Sequence, residues 1–242
     1  MIEIFETPEV LAHAAAQRLT ALIEQTLASQ ARFALGLSGG STPRRLFELL
    51  ADEPFVTRIP WEQIHVFWGD ERCVPPDHAD SNFRMTRETL LDRVPLPATN
   101  VYRIPAEREP AQAATDYEDT LRAFFGTEGL PRFDLLLQGM GDDGHTASLF
   151  PGTAALDEES RWVVANYVEK LQTWRVTLTA PVINAAANVW FLVAGASKTG
   201  ALHAVLEGPR QPNVLPSQLI QPVDGALTWL LDAAAAAELG NR

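Results

Sequence analysis

Apolar residues along the chain switch repeatedly between two periods. Between positions 8 and 30, Val10, Leu11, Ala14, Ala15, Leu19, Leu22, Ile23 and Leu27 recur at three- and four-residue spacing behind a Thr7–Pro8 start. That spacing predicts an amphipathic helix. Short continuous apolar runs come next: residues 32–37 (RFALGL), 64–68 (IHVFW), 133–138 (FDLLLQ), 189–194 (VWFLVA) and 227–231. Their length predicts strands, and the continuous apolar character of FALGL, LLLQ and VWFLVA fits burial on both faces. Helical spacing returns over 43–50 (PRRLFELL, with Pro43 suited to a first turn), about 82–93, 110–125, 197–206 and a closing DAAAAAEL. Residues 162–168 and 174–179 alternate in the strand manner and predict an antiparallel pair.

Strand–loop–helix units recurring in this way predict an α/β fold, a mainly parallel sheet flanked by helices, with a small antiparallel subsheet. No repeat, linker or low-complexity tract divides the chain, so a single domain over residues 1–242 is expected. In open α/β sheets, ligands bind beyond the carboxyl ends of the strands. The glycine-rich polar segments fall there: SGGSTP, GDERCVP, GMGDDGHT and GASKTG. Four loops from four strands are expected to converge on one crevice.

Charge narrows what that crevice can hold. With 19 Lys and Arg against 31 Asp and Glu the net charge is −12. Such a chain suits neither nucleic acid nor an anionic membrane surface, and a small anion would need a local cluster of donors and cations. One cysteine, Cys73, allows no internal disulfide, which fits a reducing cytoplasm. The first residues, MIEIFETPEV, have neither the basic start nor the apolar run of a signal peptide, and no apolar run is long enough for a membrane span. The five histidines are scattered without metal-ligand spacing, so no metal is expected.

Each loop has competing readings. SGGSTP, between a strand and a helix, is either an anion cradle of backbone N–H groups with the Ser41 and Thr42 hydroxyls or a tight turn with a capped helix. It lacks the Gly-Lys-Ser/Thr ending of a Walker A loop. Residues 36–40 also spell G-x-S-x-G, the nucleophile elbow that would make Ser38 an esterase nucleophile. Too few strands precede it, and no oxyanion-loop motif lies upstream. In GDER, Arg72 is placed to bind phosphate, while Asp70 and Glu71 orient it or meet sugar hydroxyls. Lys198 opens a helix, where a cation is unfavourable unless an anion is bound, and it is one of two lysines among the 19 basic residues.

Gly139, Gly141 and Gly144 spell G-x-G-x-x-G after a strand. The dinucleotide reading fails on context: the motif comes late, and no strand-ending acidic residue follows about 20 residues on. His145 is better read as an acid/base, with an unperturbed pKa of about 6.5 suited to neutral pH. Asp143, two residues earlier, would fix its tautomer.

Together, LGLSGGSTPRRLFELL, VFWGDERCVPPDHADSNFRM and LLLQGMGDDGHTASLFPGT resemble the 6-phosphogluconolactonases of the glucosamine-6-phosphate isomerase/6-phosphogluconolactonase family. The resemblance runs over nearly the whole chain. Related deaminases share SGGSTP and the DGH core but resemble GHIAFNEPG after the histidine, where this chain has GHTASLFPG. The resemblance implies a fold shared with those deaminases, ribose-5-phosphate isomerases and CoA transferases. It implies hydrolysis of 6-phospho-D-glucono-1,5-lactone to 6-phosphogluconate, in the oxidative pentose phosphate pathway, without metal or cofactor. His145 matches the general base, with Asp143 orienting it. Arg72 and Lys198 match the phosphate-binding cations, and Gly39, Gly40, Ser41 and Thr42 the loop that meets substrate. Arg44, where the family often has lysine or arginine, and Asp70 are expected to assist binding. The partner is then a small sugar phosphate; the oligomeric state is not written in the sequence. A sugar-phosphate deaminase or isomerase, or a non-catalytic sensor, is the alternative.

Overall fold

In the computed structural model, which describes residues 1–240, the apolar runs, the alternating pair and three further short segments form ten strands. They are β1 (Ile2–Phe5), β2 (Phe33–Leu37), β3 (Ile64–Trp68), β4 (Asp70–Arg72), β5 (Val101–Tyr102), β6 (Leu135–Gln138), β7 (Val163–Val168), β8 (Thr173–Leu178), β9 (Asn188–Val193) and β10 (Ala226–Asp232). Seven form one parallel sheet in the order β1-β10-β9-β6-β2-β3-β5, and the other three form an antiparallel sheet, β4-β8-β7. Seven helices intervene: α1 (Pro8–Leu27), α2 (Ser41–Leu50), α3 (Phe55–Arg58), α4 (Asn82–Thr89), α5 (Pro110–Phe125), α6 (Ala180–Asn184) and α7 (Thr199–Leu206). The predicted α/β class, parallel sheet and small subsheet are all present.

The central strands are buried along their whole length, as continuous apolar runs require. β2 and β6 approach so closely that a Cβ at Gly36 would lie 2.0 Å from Leu136 Cδ2. α1 turns Leu11, Ala15, Leu19 and Ile23 inward, and the Thr7 hydroxyl accepts the Val10 N–H at 3.2 Å as its cap. The buried Tyr117 of α5 bonds both backbone groups of Trp68, accepting its N–H at 2.9 Å and donating to its C=O at 3.0 Å. This fixes the end of β3 one residue before the chain leaves the sheet. None of the described helices is long and apolar enough to cross a membrane.

Two expectations are corrected, and one strand was not anticipated. The DER segment is not a loop: it is β4, which pairs with β8 (Asp70↔Thr177, Arg72↔Arg175) and joins the predicted hairpin as a third strand. Residues 1–5 form an edge strand beside β10. DAAAAAEL does not form a helix. Asp232 ends β10, the Ala233 N–H donates to Phe5 O at 2.7 Å, and the Thr199 hydroxyl donates to Ala234 O at 2.9 Å. Alanine favours helix, but β1 takes the Ala233 N–H and Thr199 occupies the Ala234 C=O that a helix would offer to the N–H four residues on, and the run becomes a series of turns.

Candidate active site

β9, β6, β2 and β3 are neighbours in the sheet, so the loops at their carboxyl ends are neighbours too. They meet in a cleft lined by Ser38, Gly39, Gly40, Asp70, Arg72, Asn82, Gly139, Met140, Gly141, His145, Ala147, Arg175 and Lys198. The four predicted loops therefore converge. Of the residues the sequence offered for binding or catalysis, Gly39, Gly40, Asp70, Arg72, His145 and Lys198 line the cleft, as do Ser38, Gly139 and Gly141 of the rejected motifs, and Asp143 stands directly behind His145. Ser41, Thr42 and Arg44 do not line it. α2 begins at Ser41, two residues earlier than its proline suggested, so all three lie in its first turns, with Arg44 exposed.

The segment after β6 is built around the histidine. His145 Nδ1 lies 2.6 Å from Asp143 Oδ1, which also accepts the His145 backbone N–H at 3.2 Å. Asp143 Oδ2 accepts from Lys170 Nζ at 2.9 Å. The hydrogen bond from His145, then the Lys170 ammonium, hold the Asp143 carboxyl well below the usual carboxylate range. Phe150 stacks on the imidazole, with centroids 4.0 Å apart and planes 21° apart. Nδ1 is thus committed to Asp143, which leaves Nε2 as the atom that can exchange a proton.

The three glycines contribute unequally. A Cβ on Gly141 would sit 2.0 Å from His145 Nδ1, so only hydrogen fits there. Gly144 has φ +75°, a conformation glycine adopts without strain. A Cβ on Gly139 would meet ordinary contacts only. No α-helix follows the motif; the next helical element is a 3₁₀ turn at Ala154–Asp157. The helix N-terminus on which a pyrophosphate would rest is absent, which disposes of the dinucleotide reading.

Ser38 does sit between a strand and a helix, but its hydroxyl makes one long contact, 3.4 Å to Gly39 O, and no hydrogen bond to His145. No nucleophile–base pair is formed. Ala147 holds φ 47°, an uncommon conformation for a residue with a side chain, and is pinned by its neighbours. Thr146 donates to Gln138 Oε1 and Gly139 O, each at 2.9 Å, and Ser148 donates to Asp70 Oδ2 at 2.6 Å.

Asp70 and Glu71 have separate tasks, and neither accepts a hydrogen bond from the Arg72 guanidinium. Buried Glu71 accepts the backbone N–H groups of Arg72, Asn82 and Phe83, each at 2.8 Å, and the Ser81 hydroxyl at 3.0 Å. It ties β4 to the start of α4; burial pushes its carboxyl up, against the pull of those donors. Asp70 receives Ser148 and the Asn82 amide, so its carboxylate is engaged on both oxygens at the cleft wall. Arg72 itself donates to Asp80 O at 2.6 Å, while its Nε is buried with no partner.

Two polar lining residues were not foreseen from the sequence. Asn82 opens α4, and its side chain packs so close to the SGG turn that a Cβ on Gly39 would meet Asn82 Oδ1 at 1.9 Å. Arg175 lies directly opposite Arg72 across β4 and β8. Burial lowers its pKa, and its Nε also lacks a partner. The strand pattern was visible around Arg175, but not that β4 would pair there and bring two arginines side by side. Among the described residues, Arg72, Arg175 and Lys198 form no ion pair, whereas Arg45, Arg58, Arg84, Arg103, Arg122 and Arg161 all do. No group of three or more His, Cys, Asp or Glu side chains among the described residues is arranged to hold a metal.

The chain matches the family described as glucosamine-6-phosphate isomerases/6-phosphogluconolactonase over residues 6–229. It is 47% identical over 220 residues to a protein of Nostoc sp. (strain PCC 7120) named 6-phosphogluconolactonase, covering 90% of this chain and 89% of that one. The 6-phosphogluconolactonase of Trypanosoma cruzi superposes with a TM-score of 0.88 at 29% identity, covering 99% of this chain and 97% of that one. A monomeric glucosamine-6-phosphate deaminase shares the fold, with a TM-score of 0.81 at 20% identity and 98% of each chain covered.

Proposed function

This chain belongs to the glucosamine-6-phosphate isomerase/6-phosphogluconolactonase family, and on that premise we propose that it hydrolyses 6-phospho-D-glucono-1,5-lactone to 6-phospho-D-gluconate, the lactonase step of the oxidative pentose phosphate pathway. The observation that carries this reading is the pairing, in one cleft, of an Asp-oriented histidine with three cations that have no carboxylate of their own.

Buried guanidinium Nε atoms without acceptors, as in Arg72 and Arg175, are costly, and a phosphate dianion supplies the missing acceptors. Arg72, Arg175 and Lys198 hold the phosphate, Arg175 being an addition to the pair expected from the sequence. Held at that end, the sugar ring lies with its carbonyl toward His145, so that remote binding is converted into geometry at the reacting carbon. His145 Nε2 accepts a proton from water as the water oxygen attacks the lactone carbonyl. Asp143 fixes the tautomer and stabilises the imidazolium that forms. The N–H groups of Gly39 and Gly40, which have no acceptor among the described residues, face the oxyanion. The tetrahedral intermediate then collapses: the bond from the carbonyl carbon to the ring oxygen breaks, and the proton passes from His145 to that oxygen. No covalent enzyme intermediate is needed, in keeping with the lone Ser38 hydroxyl.

The test follows the disappearance of freshly generated 6-phosphogluconolactone, with the uncatalysed rate subtracted. His145→Ala is expected to lower kcat by roughly two to four orders of magnitude, the usual weight of acid–base catalysis. Turnover near wild type would remove His145 from the mechanism. Ammonia release from glucosamine 6-phosphate would instead mark a deaminase.

A further inference from the structure

Lys170 does not line the cleft, yet its ammonium completes the group behind His145. We infer that Lys170 is a positioning residue for the reaction, holding Asp143 so that one oxygen remains dedicated to His145 Nδ1. The inference rests on the reading of His145 as the base.

The two carboxylate oxygens of Asp143 have separate partners. Oδ1 takes both His145 contacts, at 2.6 and 3.2 Å; Oδ2 takes Lys170 Nζ at 2.9 Å. A carboxylate turns readily about its last torsion, so an aspartate anchored at Oδ1 alone could rotate and let the imidazole swing with it. A second anchor on Oδ2 removes that freedom. The Lys170 side chain is 63% exposed, so the pair adds little to stability; what it contributes is direction. A compact ammonium donates to one oxygen and leaves the other alone, whereas a guanidinium fork spans both and competes for Oδ1. In a chain with seventeen arginines (19 basic residues less two lysines), a lysine stands at this position.

The fold brings Lys170 there by way of the small sheet. It occupies the 3₁₀ turn Glu169–Leu171 that joins β7 to β8, closed by Gln172 at φ 50°. Five residues further along β8 stands Arg175, in the cleft. One hairpin therefore carries a phosphate-facing cation and the clamp on the base's partner. Beside the clamp, Tyr167 and Glu169 line a surface hollow with Asp143, Phe150 and Lys170, and Asp142 exerts a further attraction on the ammonium.

Removing the Lys170 charge takes a cation away from the site where His145 gains its proton. With that charge gone, acid inactivates the site sooner. In K170M the acidic limb of kcat/KM is expected to move up by roughly half a pH unit, the size of one partly screened charge at a few ångströms. Its kcat should fall by roughly tenfold, as when an outer partner that orients a histidine is lost. In K170R the limb returns to the wild-type position while kcat stays below wild type. An unmoved limb in K170M, or a K170R limb displaced like that of K170M, overturns the inference. H145N, assayed alongside, separates the two readings: its retained turnover overturns both, whereas its inactivity with an unmoved K170M limb overturns only the role of Lys170.

Discussion

His145 is held on several sides at once: Asp143 at Nδ1, Phe150 on its face, and Gly141 where any larger residue would push it away. The last contact yields a sharp expectation. Gly141→Ala places a methyl group 2.0 Å from Nδ1, and the ring must move. A displacement of about an ångström at a catalytic group costs about 10²-fold in rate. G141A should therefore lose kcat by about that factor while its circular dichroism stays that of the wild type; wild-type turnover would show that the ring has room to spare. Gly139→Ala, whose Cβ meets only ordinary contacts, should be far milder, although the two glycines look alike in the motif. His145 and Asp143 were legible because they adjoin in sequence. Lys170 was not, since it stands 27 positions further along the chain, beyond strand β7.

At the scale of elements, the small sheet is where sequence reading fell short. The hairpin was predicted; its third strand was not, because three charged residues, Asp-Glu-Arg, carry no strand pattern. Their placement comes from Gly69, whose N–H donates to Leu37 O and whose C=O accepts from Leu178 N, so that the chain steps from one sheet to the other in a single residue. Glu71 then locks β4 to α4. Glu71→Ala strands three backbone N–H groups and a hydroxyl in the interior, a loss of about 3 kcal/mol, or roughly 5–10 °C in Tm; a thermal scan checks it. Arg175→Met removes one charged donor from the cleft. It should raise KM for the phosphorylated lactone by roughly tenfold or more, with a smaller change in kcat and little change in KM for glucono-1,5-lactone. An equal effect on both lactones would mean that Arg175 does not serve the phosphate.

At the scale of the whole molecule, the net charge of −12 would repel the phosphorylated substrate proposed for the cleft, and the three cations there oppose that field locally. Acidification tests the carboxylates that hold the fold. Asp143 is held well below the usual range by His145 and Lys170, and Glu158 is held at about 2 by the N–H groups of Arg161 and Ser160 and the Arg161 side chain. Unfolding returns both to about 4. Their contribution is therefore complete above that pH and is lost as pH falls toward 2. Glu158→Gln should flatten the stability profile between pH 4.5 and 2, measured by urea unfolding; an unchanged slope would mean that Glu158 makes no such contribution. The sequence by itself determined the α/β class, the strands that form the centre of the sheet, and four polar loops at their carboxyl ends, because apolar period and turn chemistry are local properties. Strand order was decided by tertiary packing. That order makes β9, β6, β2 and β3 adjacent, sets Arg175 against Arg72, carries Lys170 to Asp143, and diverts the alanine run at the end from helix into turns. Each of these depends on a partner distant in the chain, whose position becomes definite only when the core has closed around it.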